Sequence, residues 1–211
     1  MSLTFRHWPR PTRGALFVVT GASGTGKTTL VKEALATIPD LSYSVSATTR
    51  APRVGEVDGR DYNFVSRAHF DTNVKDSAFL EWAEVYGNCY GTPRAPVEAA
   101  LGEGRSILLE IDAQGAEQVR AAMPEAVSLF VLPPSIESLE ARLRGRASDS
   151  EDIIQRRLRD ARLQLRRCGQ FDYVVVNDDL TSAHDQFQAI LTAELMRGQR
   201  HSELLARFLD N

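Results

Sequence analysis

"ALFVVTGASGTGKTTLVKEALATI", residues 15–38, decides the fold of this chain. It begins with a short apolar, β-branched run, the pattern of a strand buried on both faces of a parallel sheet. It ends with Leu30, Val31, Ala34, Leu35 and Ile38, which a period of 3.6 places on one helical face. Between them stand Gly21, Ala22, Ser23, Gly24, Thr25, Gly26, Lys27 and Thr28, followed by Thr29, with the spacing GxxxxGK[ST]. The glycines let the backbone curl so that its N–H groups face an anion, and the helix N-terminus adds its dipole. Lys27 is then placed to reach β- and γ-phosphates and the Thr28 hydroxyl to ligate Mg²⁺. A nucleoside-triphosphate site is expected at residues 21–29, with Thr28 as the metal ligand and Mg²⁺ as the cofactor.

Outward from this loop, apolar strand-like runs recur at "SILLEI" (106–111), "VSLFVL" (127–132) and "YVVV" (173–176). Helical segments near 113–123 and 135–168 separate them. The alternation predicts an α/β fold, a P-loop parallel sheet core flanked by helices, with ligands at the carboxyl ends of the strands. Between residues 44 and 97 the pattern changes to short strands and turns, including "DYNFV" and "FLEWAEV". An inserted small mixed α/β subdomain is expected there. The expected division is a core of 1–43 and 98–211, an insertion of 44–97, and a helical lid at 139–160.

Two segments within this plan are rich in arginine. In "SVSATTRAPRVGEVDGRDY", residues 44–62, the start alternates like a strand, with Tyr43, Val45 and Ala47 on one side and Ser44, Ser46 and Thr48 on the other. Arg50, Arg53 and Arg60 follow among prolines, glycines and acids. A solvated loop and an anion site with hydroxyls both fit this composition. The second segment, residues 139–168, carries nine arginines. Helical spacing sends Leu139, Leu143, Ile154, Leu158 and Leu165 inward, and most of its arginines read as a solvated face with i,i+4 ion pairs. Its centre, "RGRASDSED", reads as a lid that closes over phosphates, a task suited to the permanently charged guanidinium fork.

Bulk properties exclude several classes. With 211 residues, 43% hydrophobic and 25% charged, the chain has ordinary globular composition. Its net charge of −3 argues against general nucleic-acid binding. No stretch approaches a membrane span, and "MSLTFRHWPRPTRG" at the start has no apolar run of signal-peptide length, so a cytoplasmic location is expected. Cys89 and Cys168 lack metal-ligand spacing and read as reduced thiols. Of the basic residues, 22 are arginine and 3 are lysine, a bias that genome composition explains. The sequence names no protein partner.

At this point the chain resembles the guanylate kinases, from about Gly14 to about Leu195. The resemblance rests on "VTGASGTGKTTL", "SVSATTRAPRVGEVDGRDYNFV", "FLEWAEVYGNCYGTP", "EIDAQGA", "PPS", "RLRGR" and "VVVNDDL", in that order. It implies transfer of the γ-phosphoryl group of ATP to GMP, with dGMP as an expected further acceptor, in purine nucleotide metabolism. By resemblance Arg50, Arg53, Tyr62 and Tyr90 hold the GMP phosphate. Glu81 reads the guanine N1–H and N2–H donors, with the Ser46 and Thr92 hydroxyls beside it and Asp112 near the amino group. Lys27, Arg50, Arg142, Arg146 and Arg157 are the implied catalytic groups, the last three as lid arginines. Arg142, Asn177 and Asp178 are the implied contacts to the adenine of ATP.

The chain departs from the family pattern at Glu110, where an aspartate is expected, at Ala147, where glycine is frequent, and at Cys89, where tyrosine is common. Related domains also serve as peptide-binding scaffold modules without kinase activity, but such modules typically lack the loop lysine and lid arginines that are present here. A kinase acting on another phosphorylated acceptor would have no use for the Ser46, Glu81 and Thr92 set.

Overall fold

The computed structural model of the protein describes residues 9–85, 87–145 and 151–209. The apolar run of the opening stretch forms strand β1 (Leu16–Thr20), every residue of which is buried, and the segment after the glycine loop forms helix α1 (Lys27–Thr37). Then follow β2 (Leu41–Tyr43), β3 (Ala47–Thr48), β4 (Asn63–Phe64), α2 (Arg67–Lys75), β5 (Phe79–Val85) and β6 (Asn88–Pro93). The chain continues through α3 (Arg94–Gly102), β7 (Ser106–Glu110), α4 (Ala113–Ala122), β8 (Val127–Leu132), α5 (Ile136–Arg144) and α6 (Glu151–Leu165). It closes with β9 (Tyr173–Val176), α7 (Leu180–Leu195) and α8 (Ser202–Leu209).

Among the described residues the strands form two sheets. The five-stranded one runs β2-β7-β1-β8-β9, and every pairing in it is parallel. Period-two alternation along β1 divides its side chains between two cores. Phe17 and Val19 join Leu30, Val31 and Ala34 of α1 and Phe187 and Leu191 of α7. Leu16 and Val18 join Val97 and Leu101 of α3 and Ala116 and Val119 of α4. Helices therefore cover both faces, as a parallel sheet requires. The four-stranded sheet, β4-β3-β6-β5, lies wholly between residues 47 and 93, with Ala47, Phe70, Phe79 and Cys89 as its small core.

The structure departs from the sequence expectations in one place. Residues 43–48 are not one strand: β2 ends at Tyr43 in the parallel sheet, and β3 begins at Ala47 in the other. The alternation was that of extended chain crossing between sheets. The helical segment expected near 135–168 is borne out as two described helices, α5 ending at Arg144 and α6 starting at Glu151. Arg144 joins them, pairing with Glu140 at 2.7 Å and also with Glu151.

Candidate active site

The glycine loop leaves β1 and enters α1 at the carboxyl end of the central strand, where an open parallel sheet places its ligand crevice. Gly24 and Gly26 have φ of +91° and +90°, a region that side chains rarely tolerate. At Gly26 space is a second reason, since a Cβ would stand 2.2 Å from the Asn177 side-chain nitrogen. A cavity of about 360 Å³ opens over the loop, lined by Gly21, Ser23, Gly24, Gly26, Lys27, Thr28, Thr29, Glu110, Ile111, Asp112 and Gln164. Ala22 and Thr25 are buried, with the Thr25 hydroxyl donating to the Ala22 carbonyl at 3.0 Å. Lys27 Nζ donates to the carbonyls of Gly21 at 2.5 Å and Ala22 at 3.0 Å. Thr28 Oγ1 donates to Glu110 Oε1 at 2.8 Å.

The remaining residues expected on this side are distributed unevenly. Asn177 is buried: its amide donates to the Thr25 carbonyl at 2.7 Å, and its own carbonyl accepts from Arg142 at 2.9 Å. It braces the loop and ties α5 to β9. Asp178 is exposed, and Arg157 is half-buried on α6 outside the lining of the cavity. Arg146 and Ala147 lie outside the described residues. Beneath the two helices, Leu139, Leu143, Ile154 and Leu158 pack with Ala22, so α5 and α6 rest on the phosphate loop itself.

A second cavity, of about 200 Å³, lies where the small sheet meets the end of β7. Tyr43, Ser46, Asp61, Tyr62, Glu81, Ala83, Val85, Tyr90, Glu110, Ile111 and Asp112 line it. Glu81 is only 6% exposed, and its Oε1 accepts the Thr92 hydroxyl at 2.6 Å. Burial pushes the Glu81 carboxyl above the usual carboxylate range; the Thr92 bond opposes the shift and the neighbouring Asp112 adds to it. Asp112 caps α4, accepting from the Gly115 N–H at 2.8 Å. The rings of Tyr62 and Tyr90 meet edge to face, with centroids 6.0 Å apart.

The arginines expected beside this cavity divide. Arg50 lies against the Tyr62 ring, 5.3 Å from its centroid, and pairs with Glu56 at 2.8 Å. Neither arginine is among the lining residues; the Arg53 side chain is exposed, and its backbone N–H donates to the second Glu56 oxygen at 2.7 Å. Thr92 sits behind Glu81 as its buried partner. Sequence reasoning missed Glu56, Tyr43 and Gln164. Glu56 had a usable signal, an acid between arginines in a glycine-rich turn; Gln164 had none, since its place depends on how α6 packs.

The two cavities share Glu110, Ile111 and Asp112. Among the described residues no cluster of three or more His, Cys, Asp or Glu forms a metal-binding group, both cysteines are free thiols, and no helix is long and apolar enough to cross a membrane.

The model of the family described as guanylate kinase matches residues 13–194. A guanylate kinase of Aromatoleum aromaticum is 50% identical over 197 residues, 93% of this chain and 97% of that protein. One from Thermus thermophilus is 54% identical over 193 residues, 92% of this chain and 87% of that protein. The crystal structure of guanylate kinase from Anaplasma phagocytophilum superposes with a TM-score of 0.73 at 36% identity, covering 93% of this chain and 95% of that one. A family match over this span, with relatives about half identical along nearly their whole length, means that this chain belongs to the guanylate kinase family.

Proposed function

We propose that ATP occupies the cavity over the glycine loop, that GMP occupies the cavity lined by Glu81 and the two tyrosines, and that the γ-phosphoryl group passes between them above residues 110–112. The observation that carries this reading is the buried Glu81 carboxylate, held by Thr92 in a cavity that shares three lining residues with the cavity over the glycine loop. Guanine offers N1–H and N2–H donors side by side and an O6 acceptor. A carboxylate matches the first pair, and the Ser46 hydroxyl can donate to O6. Adenine would set its N1 acceptor against the carboxylate, and a polar site can reject such a mismatch by a factor on the order of 10⁴.

The acceptor phosphate is an ionised oxygen nucleophile at neutral pH, so no side chain has to remove a proton first. Catalysis is positioning and neutralisation of charge. Lys27 exchanges the carbonyls of Gly21 and Ala22 for β- and γ-phosphate oxygens. Arg142, anchored to the Asn177 carbonyl outside the lining of the donor cavity, serves the donor phosphates as a lid cation, with Arg157 on the adjoining helix and Arg146 as further ones. Asp178 stands at the end of β9 for the adenine. Tyr62 and Tyr90 bind the acceptor phosphate through their hydroxyls, with Arg50 beside them and Arg53 approaching from the exposed turn.

The hydroxyl of Thr28 and the carboxylate of Glu110 are hard oxygen donors facing the donor cavity, a set that suits Mg²⁺ held jointly with substrate phosphates. When bound there, the ion offsets negative charge on the β- and γ-phosphoryl groups. Glu110 thus has a partner despite its extra methylene.

A coupled assay with Mg²⁺-ATP and GMP, AMP, CMP or UMP in parallel tests the reading. Turnover is expected on GMP, with the other three slower by at least a factor on the order of 10³. Comparable turnover on AMP would refute the acceptor assignment, and silence on all four would refute the kinase reading.

A further inference from the structure

Gly115 is a residue without an evident local reason. It lies in the first turns of α4, has no positive φ, and glycine there is a poorer helix former than alanine. Space supplies the reason. A Cβ at residue 115 would stand 2.8 Å from Glu81 Oε2, 3.3 Å from Glu81 Cδ and 3.4 Å from Ile111 Cδ1. The bare Cα of Gly115 is therefore one wall of the socket that holds the Glu81 carboxylate, opposite the Thr92 hydroxyl on Oε1.

One turn along the same helix face, Gln118 grips the backbone next to Glu81. Its side-chain oxygen accepts the Trp82 N–H at 3.1 Å, and its side-chain nitrogen donates to the Trp82 carbonyl at 3.0 Å. β5 is the outer strand of its sheet, so residue 82 has open backbone groups on that side. A glutamine amide carries a donor and an acceptor spaced to match them. Helix α4 thus fixes the strand with Gln118 and shapes the space for the side chain of Glu81 with Gly115.

We propose that Gly115 and Gln118 are positioning residues for acceptor recognition, together setting where the Glu81 carboxylate meets the base. This rests on Glu81 as the guanine-reading group. In a Gly115→Ala variant the atom that must yield is the free end of the Glu81 side chain, not backbone, so the fold survives and the carboxylate moves. A displacement near 1 Å at such a contact lowers turnover efficiency by a factor of up to about 10².

The test compares wild type, Gly115→Ala, Gln118→Ala, Gln118→Glu and Glu81→Gln. Steady-state rates are measured with GMP and with IMP, which lacks the N2 amino group, and thermal unfolding is followed in parallel. Gly115→Ala is expected to raise the KM for GMP at least about tenfold, to leave the KM for ATP within about twofold, and to narrow the preference for GMP over IMP, with Tm unchanged or higher. Gln118→Ala should do the same more weakly. Gln118→Glu, which keeps the acceptor but loses the donor, should fall between it and wild type.

An unchanged GMP/IMP preference in Gly115→Ala and both Gln118 variants, while Glu81→Gln abolishes it, would overturn the positioning role and leave the role of Glu81 standing. An unchanged preference in Glu81→Gln itself would overturn the guanine reading on which the inference rests. A fallen Tm with both KM values raised together in Gly115→Ala would assign glycine to helix packing and also overturn it.

Discussion

Glu81 is a carboxylate in a place where water scarcely reaches, and its protonation therefore acts on two processes with opposite sign. Its folded-state pKa is raised, chiefly by burial, above the value in the unfolded chain. As pH falls through that raised value the folded state takes up a proton before the unfolded one, so this group makes folding more favourable on acidification. In the proposed reading, guanine recognition needs the ionised form and is lost over the same window. The GMP phosphate protonates in the same region, with a second pKa of about 6, so the contribution of Glu81 is the excess. The KM for GMP should rise more steeply on acidification in wild type than in Glu81→Gln, which should keep only the phosphate's pH dependence and lose most of the affinity. Initial rates from pH 4 to 8 would check both, and a wild-type profile identical to that of Glu81→Gln would refute it.

Legibility also differs residue by residue. That Lys27 and Thr28 would stand together beside the glycine loop was readable from spacing alone, because loop, lysine and hydroxyl follow one another in fixed order along the backbone, and both line the cavity there. Glu81 was readable only through its motif, since an acid in an alternating strand carries no sign of burial. Glu56 was not read, although it holds Arg50 by its side chain and Arg53 by its backbone. A carboxylate that organises cations looks, in sequence, like any acid in a polar turn.

Among the elements, α5 and α6 pack directly on the glycine loop. Their apolar stripe, Leu139, Leu143, Ile154 and Leu158, closes on Ala22 of the phosphate loop. Truncating Leu158 to alanine removes a fully enclosed side chain at the middle of this contact, at a cost of about 2–5 kcal/mol if the pair unfolds with the core. Thermal unfolding should register that loss, and the KM for ATP should rise more than that for GMP; an equal rise in both would argue against specific support of the loop. The 3.6 period announced this stripe, just as uninterrupted apolar runs announced β8 and β9 at their observed limits. Residues 43–48 misled for a physical reason. Alternation reports extended backbone with two unlike sides, and the same pattern serves a chain that leaves one sheet and enters another.

At the scale of the whole molecule, the two ends of the described chain are fastened to each other. Arg200 is 5% exposed and donates to the carbonyls of Gly14 at 3.1 Å and Glu194 at 3.0 Å, while the Thr12 N–H donates to the Arg200 carbonyl at 2.7 Å. Neither composition nor periodicity hinted at this clasp, because it joins residues 186 positions apart. Arg200→Met keeps the apolar stem and removes the donors, leaving two enclosed carbonyls without them. The expected loss is about 2–3 kcal/mol, lowering Tm by roughly 4–12 °C with kcat/KM for GMP unchanged. A thermal melt beside an initial-rate assay would decide it; an unaltered Tm would mean the clasp contributes nothing.

The tripeptide Glu110, Ile111 and Asp112, which closes both cavities from below, has a thermodynamic corollary. Ligands in two cavities that share lining residues can each alter the other's site, and any such linkage is reciprocal. Whatever factor GMP imposes on the dissociation constant of a non-hydrolysable ATP analogue, that analogue must impose on GMP. Calorimetric titrations run in the two orders must therefore return a single coupling constant, and substitutions in the tripeptide are where that constant should change most.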